Sequence, residues 1–209
     1  MRLASNNRLV GHLLDVGALK TEKIIAAFKA VDRACFVPAS LRVEAYEDYP
    51  LPIGLGQTIS QPSTVAFMLE LLQPQCGENV LEVGAGSGYV AALLSEIVGA
   101  KGLVVAVERQ QGLTKLAKQN LRDFKFEQLK VITADGSLGY PDYAPYQRII
   151  ISAAAPELPE PIQQQLAPSG RMVMPVGINV QSIVLIERQD DRFTKQSYPG
   201  FVFVPLIRT

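Results

Sequence analysis

Hydrophobic and polar positions along the chain follow two different patterns, and the change falls near residue 62. In the first part, apolar side chains recur at helical spacing over residues 7–31, in two runs separated by Gly17. This spacing predicts two helices. Residues 46–62 are too rich in tyrosine, proline and glycine for one regular element. A long irregular loop in a compact domain is usually functional or disordered, and the apolar content of this loop argues against disorder.

Beyond residue 62, short apolar runs alternate with helical patterns. The apolar runs predict strands at residues 79–83, 103–107, 129–133, 148–152 and 171–175. The helical patterns lie at residues 65–72, 89–98, 113–121 and 162–166. Strands that alternate with helices form a parallel sheet with both faces covered. Two final strands, at 182–187 and 201–206, are joined by polar residues without a helix, so we expect an antiparallel hairpin at one edge.

We therefore predict an α/β fold with a doubly wound, mostly parallel sheet, an N-terminal helical extension and an antiparallel C-terminal edge. Residues 1–61 are expected to form the extension and an active-site loop, and residues 62–209 the cofactor-binding domain. A chain of 209 residues fits one compact unit better than two independent domains.

Charge and composition narrow the possible partners. The chain has 20 basic and 20 acidic residues, so no net charge draws it to nucleic acid or to an anionic membrane. No apolar run reaches the roughly 18 residues of a membrane span, and the first residues lack the apolar core of a signal peptide. We expect a cytoplasmic monomer without nucleic-acid or membrane partners.

Few residues could bind a metal ion. The chain has one histidine, His12, and two cysteines, Cys35 and Cys76, which lie far apart. This spacing fits neither a zinc site nor a disulfide framework, so we expect no metal and two reduced, partly buried thiols. His12 is expected to be an ordinary helix residue.

The strongest local motif follows the predicted strand at 79–83. Glycines at alternate positions come directly before a predicted helix, in a loop formed by Gly84, Ala85, Gly86, Ser87 and Gly88. Glycine lets the backbone approach a ligand closely, and the helix start offers free N–H groups to an anionic group. A glycine-rich loop alone is weak evidence, because many nucleotide-binding folds use one.

Two acidic residues indicate which nucleotide this loop binds. Glu108 ends the second strand about 20 residues after Gly88, where a carboxylate can accept both ribose hydroxyls, and Arg109 follows it. A dinucleotide pyrophosphate prefers the longer Gly-x-Gly-x-x-Gly spacing and would be repelled by Glu82, just before the loop. The carboxylate of Glu82 could instead bind the cationic amino group of S-adenosylmethionine.

Asp135 and Gly136 follow the third strand and would reach the same edge of the sheet. A carboxylate there could accept the exocyclic amine of adenine, while a backbone N–H serves a ring nitrogen. Taken alone, this segment could also be a solvated turn. Together with the glycine loop it favours an adenosyl site.

The loop over residues 45–62 resembles a family signature. Its segments 50–54 and 57–62 read Pro-Leu-Pro-Ile-Gly and Gln-Thr-Ile-Ser-Gln-Pro, as is typical of protein-L-isoaspartate (D-aspartate) O-methyltransferases. Further segments resemble the same family in the same order, at residues 36–38, 135–140, 144–146, 153–156, 175–177 and 203–206. The resemblance extends from about residue 8 to the C-terminus.

This resemblance implies the fold of S-adenosylmethionine-dependent methyltransferases, with S-adenosyl-L-methionine as cofactor. It also implies methyl transfer to the free carboxylate of L-isoaspartyl and D-aspartyl residues in damaged proteins and peptides. It places a serine, here Ser60, at the active site, where its hydroxyl would orient the substrate carboxylate. Gln61 and Val204 would bind the peptide with Ser60, Val204 through its backbone. The residues that would close over the cofactor are Gln57, Thr58, Ile59 and Ser60.

Four residues depart from the family pattern: Tyr49 stands for an arginine, Leu55 for an aromatic residue, Ala85 for a threonine and Gln147 for an aspartate. Tyr49 and Leu55 would lie near the substrate entrance, so they could alter the peptide preference.

The implied reaction needs no catalytic base, because a carboxylate with a reference pKa of roughly 3.5 is ionised at neutral pH. Three alternatives stay open at this point: a methyltransferase for another carboxylate acceptor, a non-catalytic binding module and an NAD-dependent oxidoreductase. The last would need a catalytic Tyr/Lys or His pair, which the sequence does not show. Ser60 could also cap the helix at 65–72, although Ser63 is at least as well placed.

Overall fold

A helical part precedes the sheet. In the computed structural model, which describes residues 5–207, α1 (Asn6–Asp15) and α2 (Glu22–Ala30) confirm the two predicted helices. Two short 3-10 helices, Arg33–Phe36 and Ala39–Glu44, continue the chain. The apolar faces of α1 and α2 pack into the same core as the later helices, so the N-terminal part and the sheet share one interior.

We call the next segment, residues 45–61, the hairpin loop. It contains regular structure that was not predicted, because the segment is rich in turn residues. Its strands β1 (Leu51–Gly54) and β2 (Gln57–Ile59) form a separate two-stranded antiparallel sheet. α3 (Pro62–Leu72) follows and begins earlier than the predicted helix at 65–72. Proline is favoured at a first helical position, because the N–H that it lacks would have no partner there.

Within the described residues, seven strands form the central sheet. In chain order they are β3 (Asn79–Val83), β4 (Leu103–Glu108), β5 (Leu129–Thr133), β6 (Tyr146–Ile151), β7 (Leu166–Val176), β8 (Gln181–Gln189) and β9 (Arg192–Phe201). They lie in the order β5-β4-β3-β6-β7-β8-β9. β3 to β7 run parallel, and β8 and β9 are antiparallel. The predicted fold class is therefore confirmed.

The two faces of the sheet are buried by different parts of the chain. Val80 points to the face covered by α1–α3, α4 (Tyr89–Val98) and α5 (Gln111–Leu121). Leu81 points to the opposite face, covered by α6 (Glu160–Gln163) and the irregular segments beside it. Because successive strand residues point to opposite faces, a strand buried on both sides is a continuous apolar run. This explains why the inner strands were predictable.

The second strand of the C-terminal hairpin is not where the sequence predicted it. β9 occupies Arg192–Phe201 instead of residues 201–206. A two-residue turn at Asp190 and Asp191 begins the pairing at once, and most side chains of β9 are exposed. An exposed polar strand lacks the apolar alternation on which the prediction depended.

The boundary between α6 and β7 also differs from the prediction. The helix ends at Gln163 instead of continuing to residue 166, and β7 begins at Leu166 instead of 171. Leu166 pairs with Tyr146 on β6 and is fully buried. The apolar residue that was assigned to the helix therefore belongs to the sheet.

The residues considered as metal ligands are dispersed. Cys35 and Cys76 are free and exposed, so the prediction of partly buried thiols is wrong; Cys35 lies on the first 3-10 helix and Cys76 in a turn before β3. His12 lies in α1, with its Nε2 3.7 Å from a carboxylate oxygen of Asp48. Over residues 5–207, no group of three or more His, Cys, Asp or Glu side chains is placed to hold a metal ion. In the same range, no helix has the length and apolar character needed to cross a bilayer.

Candidate active site

A cleft opens at the carboxyl ends of the parallel strands. Its walls are formed by the residues that follow β3, β4, β5 and β6, by the hairpin loop and by the C-terminal segment 204–207. β3 and β6 lie side by side at its centre, where the strand order changes direction. In open α/β sheets, ligands bind outside the carboxyl ends of the strands at such a point.

The glycine loop after β3 forms the floor of this cleft. Gly84, Gly86 and Gly88 have φ angles of 88°, 53° and 89°, a region that other residues rarely adopt. A Cβ atom on Gly86 would lie 3.3 Å from Ile53 of the hairpin loop, and one on Gly88 would lie 2.9 Å from Leu121 of α5. Glycine therefore lets this loop pass between two packed elements.

Glu108 connects the glycine loop to the end of β4. Its two carboxylate oxygens accept hydrogen bonds from the backbone N–H groups of Gly86, at 3.0 Å, and of Gln110, at 2.9 Å. Each oxygen can accept more than one hydrogen bond, so the carboxylate can still accept the ribose hydroxyls expected from the sequence. Arg109 is exposed at the rim of the cleft.

Glu82 lines the cleft from β3, yet it is only 1% exposed. Its Oε2 atom has no hydrogen-bond partner among residues 5–207. Burial, and to a smaller extent the nearby carboxylate of Glu108, raises the pKa of Glu82 to about 8. A cationic amino group would supply both the missing hydrogen bond and an opposite charge. This side chain therefore fits the amino group of S-adenosylmethionine.

Asp135 and Gly136 reach the cleft from the end of β5. The Oδ1 atom of Asp135 accepts a hydrogen bond from the N–H of Ser137 at 2.9 Å, which stabilises the turn. A Cβ atom on Gly136 would lie 2.7 Å from Val83, so only glycine lets this turn pack against β3. The turn thus places a carboxylate close to the strand that carries Glu82.

The hairpin loop packs on the glycine loop through Ile53 and forms one wall of the cleft. Leu51 and Ile59 pair across the hairpin and are 2% and 4% exposed, so one side of the hairpin is anchored in the core. The consecutive residues of the loop that line the cleft are Gln57, Thr58, Ile59 and Ser60.

Ser60 has a hydroxyl group that is available to a ligand. Its carbonyl accepts a hydrogen bond from Arg33, but its hydroxyl has no hydrogen-bond partner in the part of the chain that the structure describes. The alternative role of Ser60 as a helix cap is wrong. The N–H of Ser63, in the first turn of α3, is bound at 2.8 Å by the carboxylate of Asp48 instead.

Two residues assigned to the site from the sequence do not line the cleft. Gly88 caps the start of α4, and Gln61 caps α3 while its side-chain amide donates to Asp48 at 3.3 Å. Val204 does line the cleft, but it lies beyond β9 and not on a strand, which corrects the expectation. Its carbonyl accepts the N–H of Ala154 at 2.8 Å, while its own N–H has no acceptor within residues 5–207.

The four departures from the family pattern lie in different places. Ala85 lines the cleft with the glycine loop. Leu55 is 59% exposed at the tip of the hairpin, and the hydroxyl of Tyr49 donates to Glu44 at 2.7 Å. Gln147 lies at the other end of the strands, where it accepts the N–H of the first residue of β3 at 2.7 Å. Of the four, Ala85 alone is among the residues that line the cleft, so an effect of Tyr49 or Leu55 on peptide preference stays a prediction.

Sequence reasoning missed several residues of the cleft. Ser137 follows the predicted residue Gly136, and Ser152 follows β6 directly and was the last residue of the strand predicted at 148–152. Both line the cleft. The rule that ligands bind at the carboxyl ends of parallel strands would have identified Ser152. Gln110 also lines the cleft and had no comparable signal.

Comparisons with known proteins agree with this site. A family model described as Protein-L-isoaspartate(D-aspartate) O-methyltransferase (PCMT) matches residues 4–209. A protein-L-isoaspartate O-methyltransferase of Methanothrix thermoacetophila is 46% identical over 187 residues, which cover 90% of this chain and 89% of that protein. Protein-L-isoaspartate O-methyltransferase 1 of Archaeoglobus fulgidus is 50% identical over 186 residues, which cover 89% of this chain and 86% of that protein.

Solved structures agree as well. A structure described as a protein-L-isoaspartate O-methyltransferase has a TM-score of 0.86 at 31% identity, and the match covers 96% of this chain and 65% of that longer chain. A Plasmodium falciparum protein solved with S-adenosyl-L-homocysteine has a TM-score of 0.88 at 22% identity, covering 98% of this chain and 99% of the other. The second likeness concerns the fold alone.

The family model spans almost the whole chain, and the relatives exceed 40% identity over most of it. The predicted family, the enzyme class and the cofactor S-adenosyl-L-methionine are thereby confirmed. The chain belongs to the protein-L-isoaspartate(D-aspartate) O-methyltransferase family.

Proposed function

We propose that this cleft holds S-adenosyl-L-methionine and an isoaspartyl side chain next to each other, so that the chain methylates the free carboxylate of L-isoaspartyl and D-aspartyl residues in damaged proteins and peptides. One observation carries the proposal. Apart from Gly88 and Gln61, the residues expected to bind the cofactor and those expected to bind the acceptor, Ser60 and Val204, line the same cleft.

Three carboxyl groups would hold the cofactor. Glu82, buried and without a partner at Oε2, would bind its amino group. Glu108, which already accepts the N–H of Gly86, would accept the ribose hydroxyls, and Asp135 would accept the adenine amine. The glycine loop would allow close backbone approach to the methionine part. The bound cofactor supplies a methyl group on a positively charged sulfur.

The residues of the chain would act mainly by orientation. The acceptor carboxylate is already ionised at neutral pH, so no side chain has to remove a proton from it. Holding two reacting groups in line, with water excluded, can lower the activation free energy by roughly 7–11 kcal/mol. The hairpin loop, packed through Ile53 against the glycine loop, is placed to exclude water on one side.

Ser60 would donate its free hydroxyl to the acceptor carboxylate. Val204 would offer its backbone N–H to the peptide beside that carboxylate, which is a strand-like mode of recognition. The absence of a hydrogen-bond partner for either donor within residues 5–207 supports these roles.

The proposal includes the state of the protein in the cell. We infer a cytoplasmic monomer that acts on proteins and peptides and not on nucleic acid, which the balance of 20 basic and 20 acidic residues supports. The helical part at 1–61 and the domain at 62–209 would work as one unit, since α1 and α2 share the core of the sheet. Size-exclusion chromatography with light scattering tests the monomer.

Methyl transfer from radiolabelled S-adenosylmethionine tests the activity. We expect an isoaspartyl peptide to be labelled and the same peptide with normal aspartate to remain unlabelled. Equal labelling of both peptides, or labelling of neither, would overturn the proposed acceptor. Labelling of a small carboxylic acid in preference to the isoaspartyl peptide would support a different acceptor on this scaffold.

A further inference from the structure

The hairpin loop is held at both ends by one buried arginine. Arg33, on the first 3-10 helix, is 0% exposed. Its Nη1 atom donates to the carbonyls of Ala45, at 2.7 Å, and Glu47, at 3.3 Å. Its Nη2 atom donates to the carbonyls of Tyr49 and Ser60, both at 3.1 Å. The two ends of the loop therefore meet at a single guanidinium group.

The charge of Arg33 is stabilised by these backbone carbonyls and not by a salt bridge. Its guanidinium has no ion-pair partner among residues 5–207, and its Nε has no hydrogen-bond partner there. Burial lowers the pKa of Arg33 to about 10, against smaller opposing effects from Tyr89, the carboxylate of Asp48 and Tyr49, so it stays protonated at neutral pH. A buried charge that makes no direct ion pair is costly, and an apolar side chain could fill a purely structural position at less cost.

The same 3-10 helix is fixed to the other wall of the cleft. Phe36 packs on Tyr89, with ring centroids 5.5 Å apart. Tyr89 is fully buried and begins α4 directly after Gly88 of the glycine loop. Arg33 is thus connected to the start of α4 through Phe36 and Tyr89, and to the hairpin loop through its hydrogen bond to the carbonyl of Ser60.

We propose that Arg33 is a positioning residue, which holds the hydroxyl of Ser60 at the distance from the glycine loop that methyl transfer requires. The proposal rests on the proposed function of the cleft. A displacement of about 1 Å at a reacting group can cost about a hundredfold in rate, so the backbone bond to Ser60 would act on turnover. Lysine cannot replace this arginine, because it has three N–H donors at one point where the guanidinium has five in a planar fork.

A double-mutant cycle tests whether Arg33 acts through Ser60. We expect Arg33→Lys to lower kcat for an isoaspartyl peptide at least about tenfold in the wild-type background, but less than about threefold in the Ser60→Ala background, because coupled residues are not additive. Calorimetric titration with S-adenosylhomocysteine should give affinities within about threefold of wild type for every variant. A similar loss of kcat in both backgrounds, or no loss in the first, would overturn the positioning role.

Arg148→Lys is the matched control. Arg148 also donates to two backbone carbonyls, those of Gln73 and Gln147, and it is ion-paired with Glu78 at the end of the sheet away from the cleft. We expect this variant to lose thermal stability while kcat stays within about twofold of wild type. An equal loss of kcat would show that stability alone explains the effect at Arg33.

Two further outcomes distinguish the role of Arg33 from the proposed function on which it rests. A wild-type enzyme that does not label the isoaspartyl peptide would contradict the proposed function and not the role of Arg33 in the loop. If Arg33→Lys does not fold, Arg33→Gln, which keeps two N–H donors, replaces it in the cycle. Failure of both variants to fold would overturn the proposal, because Arg33 would then be a determinant of folding.

Discussion

Glu82 and Ser60 are two side chains of one cleft whose polar atoms lack hydrogen-bond partners among the described residues. Among residues 5–207, the Oε2 atom of Glu82, which is buried on β3, has no hydrogen-bond partner. The hydroxyl of Ser60, which follows β2, has none in the same range. Glu82 is buried, and a buried polar group without a partner costs free energy unless a ligand supplies one. Ser60 is half-buried, so its hydroxyl is open to a ligand in the cleft. Each side chain supports a measurable prediction.

Ser60→Ala should lower turnover without lowering the affinity for the cofactor. Losing one hydrogen bond to a charged group costs roughly 1.5–3 kcal/mol, which corresponds to a roughly ten- to hundredfold fall in kcat. Steady-state kinetics and calorimetry on one preparation measure the two effects. Ser63→Ala is the control, because Ser63 lies outside the cleft lining and its N–H, not its hydroxyl, contacts Asp48. Full turnover in Ser60→Ala would refute the assignment.

Glu82→Gln should change how stability depends on pH. The reference pKa of glutamate is roughly 4.3, whereas burial raises that of Glu82 to about 8. Between these values the folded protein keeps a proton that the unfolded chain has released. The stabilisation is therefore complete below the unfolded pKa and lost as pH rises through about 8, with a slope of up to about 1.4 kcal/mol per pH unit.

Urea unfolding of the ligand-free protein between roughly pH 5 and 8 measures this slope. We expect Glu82→Gln to have a flatter profile and to be the more stable protein at the upper end. Glu157→Gln changes an exposed carboxylate and should keep the wild-type slope. Parallel profiles for wild type and Glu82→Gln would mean that Glu82 is ionised in the folded protein.

At the scale of elements, the cleft depends on how closely the hairpin loop packs on the glycine loop. Ile53 lies 3.3 Å from the position that a Cβ atom on Gly86 would occupy, and Leu55 lies 2.8 Å from the corresponding position on Gly112. Gly86 belongs to the glycine loop, whereas Gly112 lies in the first turn of α5. The hairpin loop therefore packs on both the glycine loop and α5 beside the cleft.

Gly86→Val should push the hairpin loop away from the glycine loop. The side chain would meet Ile53 and would adopt a φ of 53°, which is strained for a β-branched residue. We expect the affinity for S-adenosylhomocysteine to fall at least about tenfold in calorimetric titration, a loss of about 1.4 kcal/mol or more. Gly77→Val shares the positive φ, at 81°, but has open space around it, so its affinity should be that of wild type. Equal losses would indicate backbone strain alone.

At the scale of the whole molecule, the antiparallel edge returns the chain to the cleft. β8 and β9 carry it away from the cleft and back, and residues 202–207 then cross toward β6, where Leu206 donates to Ala154 at 2.7 Å. This path places Val204, which is remote in sequence from the glycine loop, in the lining of the same cleft.

Val204→Pro should weaken peptide binding selectively. Proline removes the backbone N–H but keeps the carbonyl that binds Ala154. One neutral hydrogen bond contributes roughly 0.5–1.5 kcal/mol, so KM for an isoaspartyl peptide should rise roughly two- to tenfold, with unchanged affinity for S-adenosylhomocysteine. Val202→Pro, at a position 92% exposed, is the control. Identical kinetics in both variants would exclude a contact through this N–H.

Local signals in the sequence predicted the inner strands and the cofactor-facing residues, because buried parallel strands are continuous apolar runs and the acidic residues follow them at fixed places. Arg33 escaped prediction for a physical reason. Its partners are backbone carbonyls at four distant positions, and any residue type can supply a carbonyl. β9 escaped because its exposed side chains are polar on both faces.

The polarity that concealed β9 also affects how the molecule behaves in a crowded solution. β9 is an outer strand of the sheet, and its free edge could pair with the edge of another chain. It carries Lys195, exposed, and Pro199, which has no N–H to donate. Charged residues and proline on an outer strand oppose edge-to-edge aggregation. The outer edge of the sheet thus resists pairing with unpaired strands of other chains.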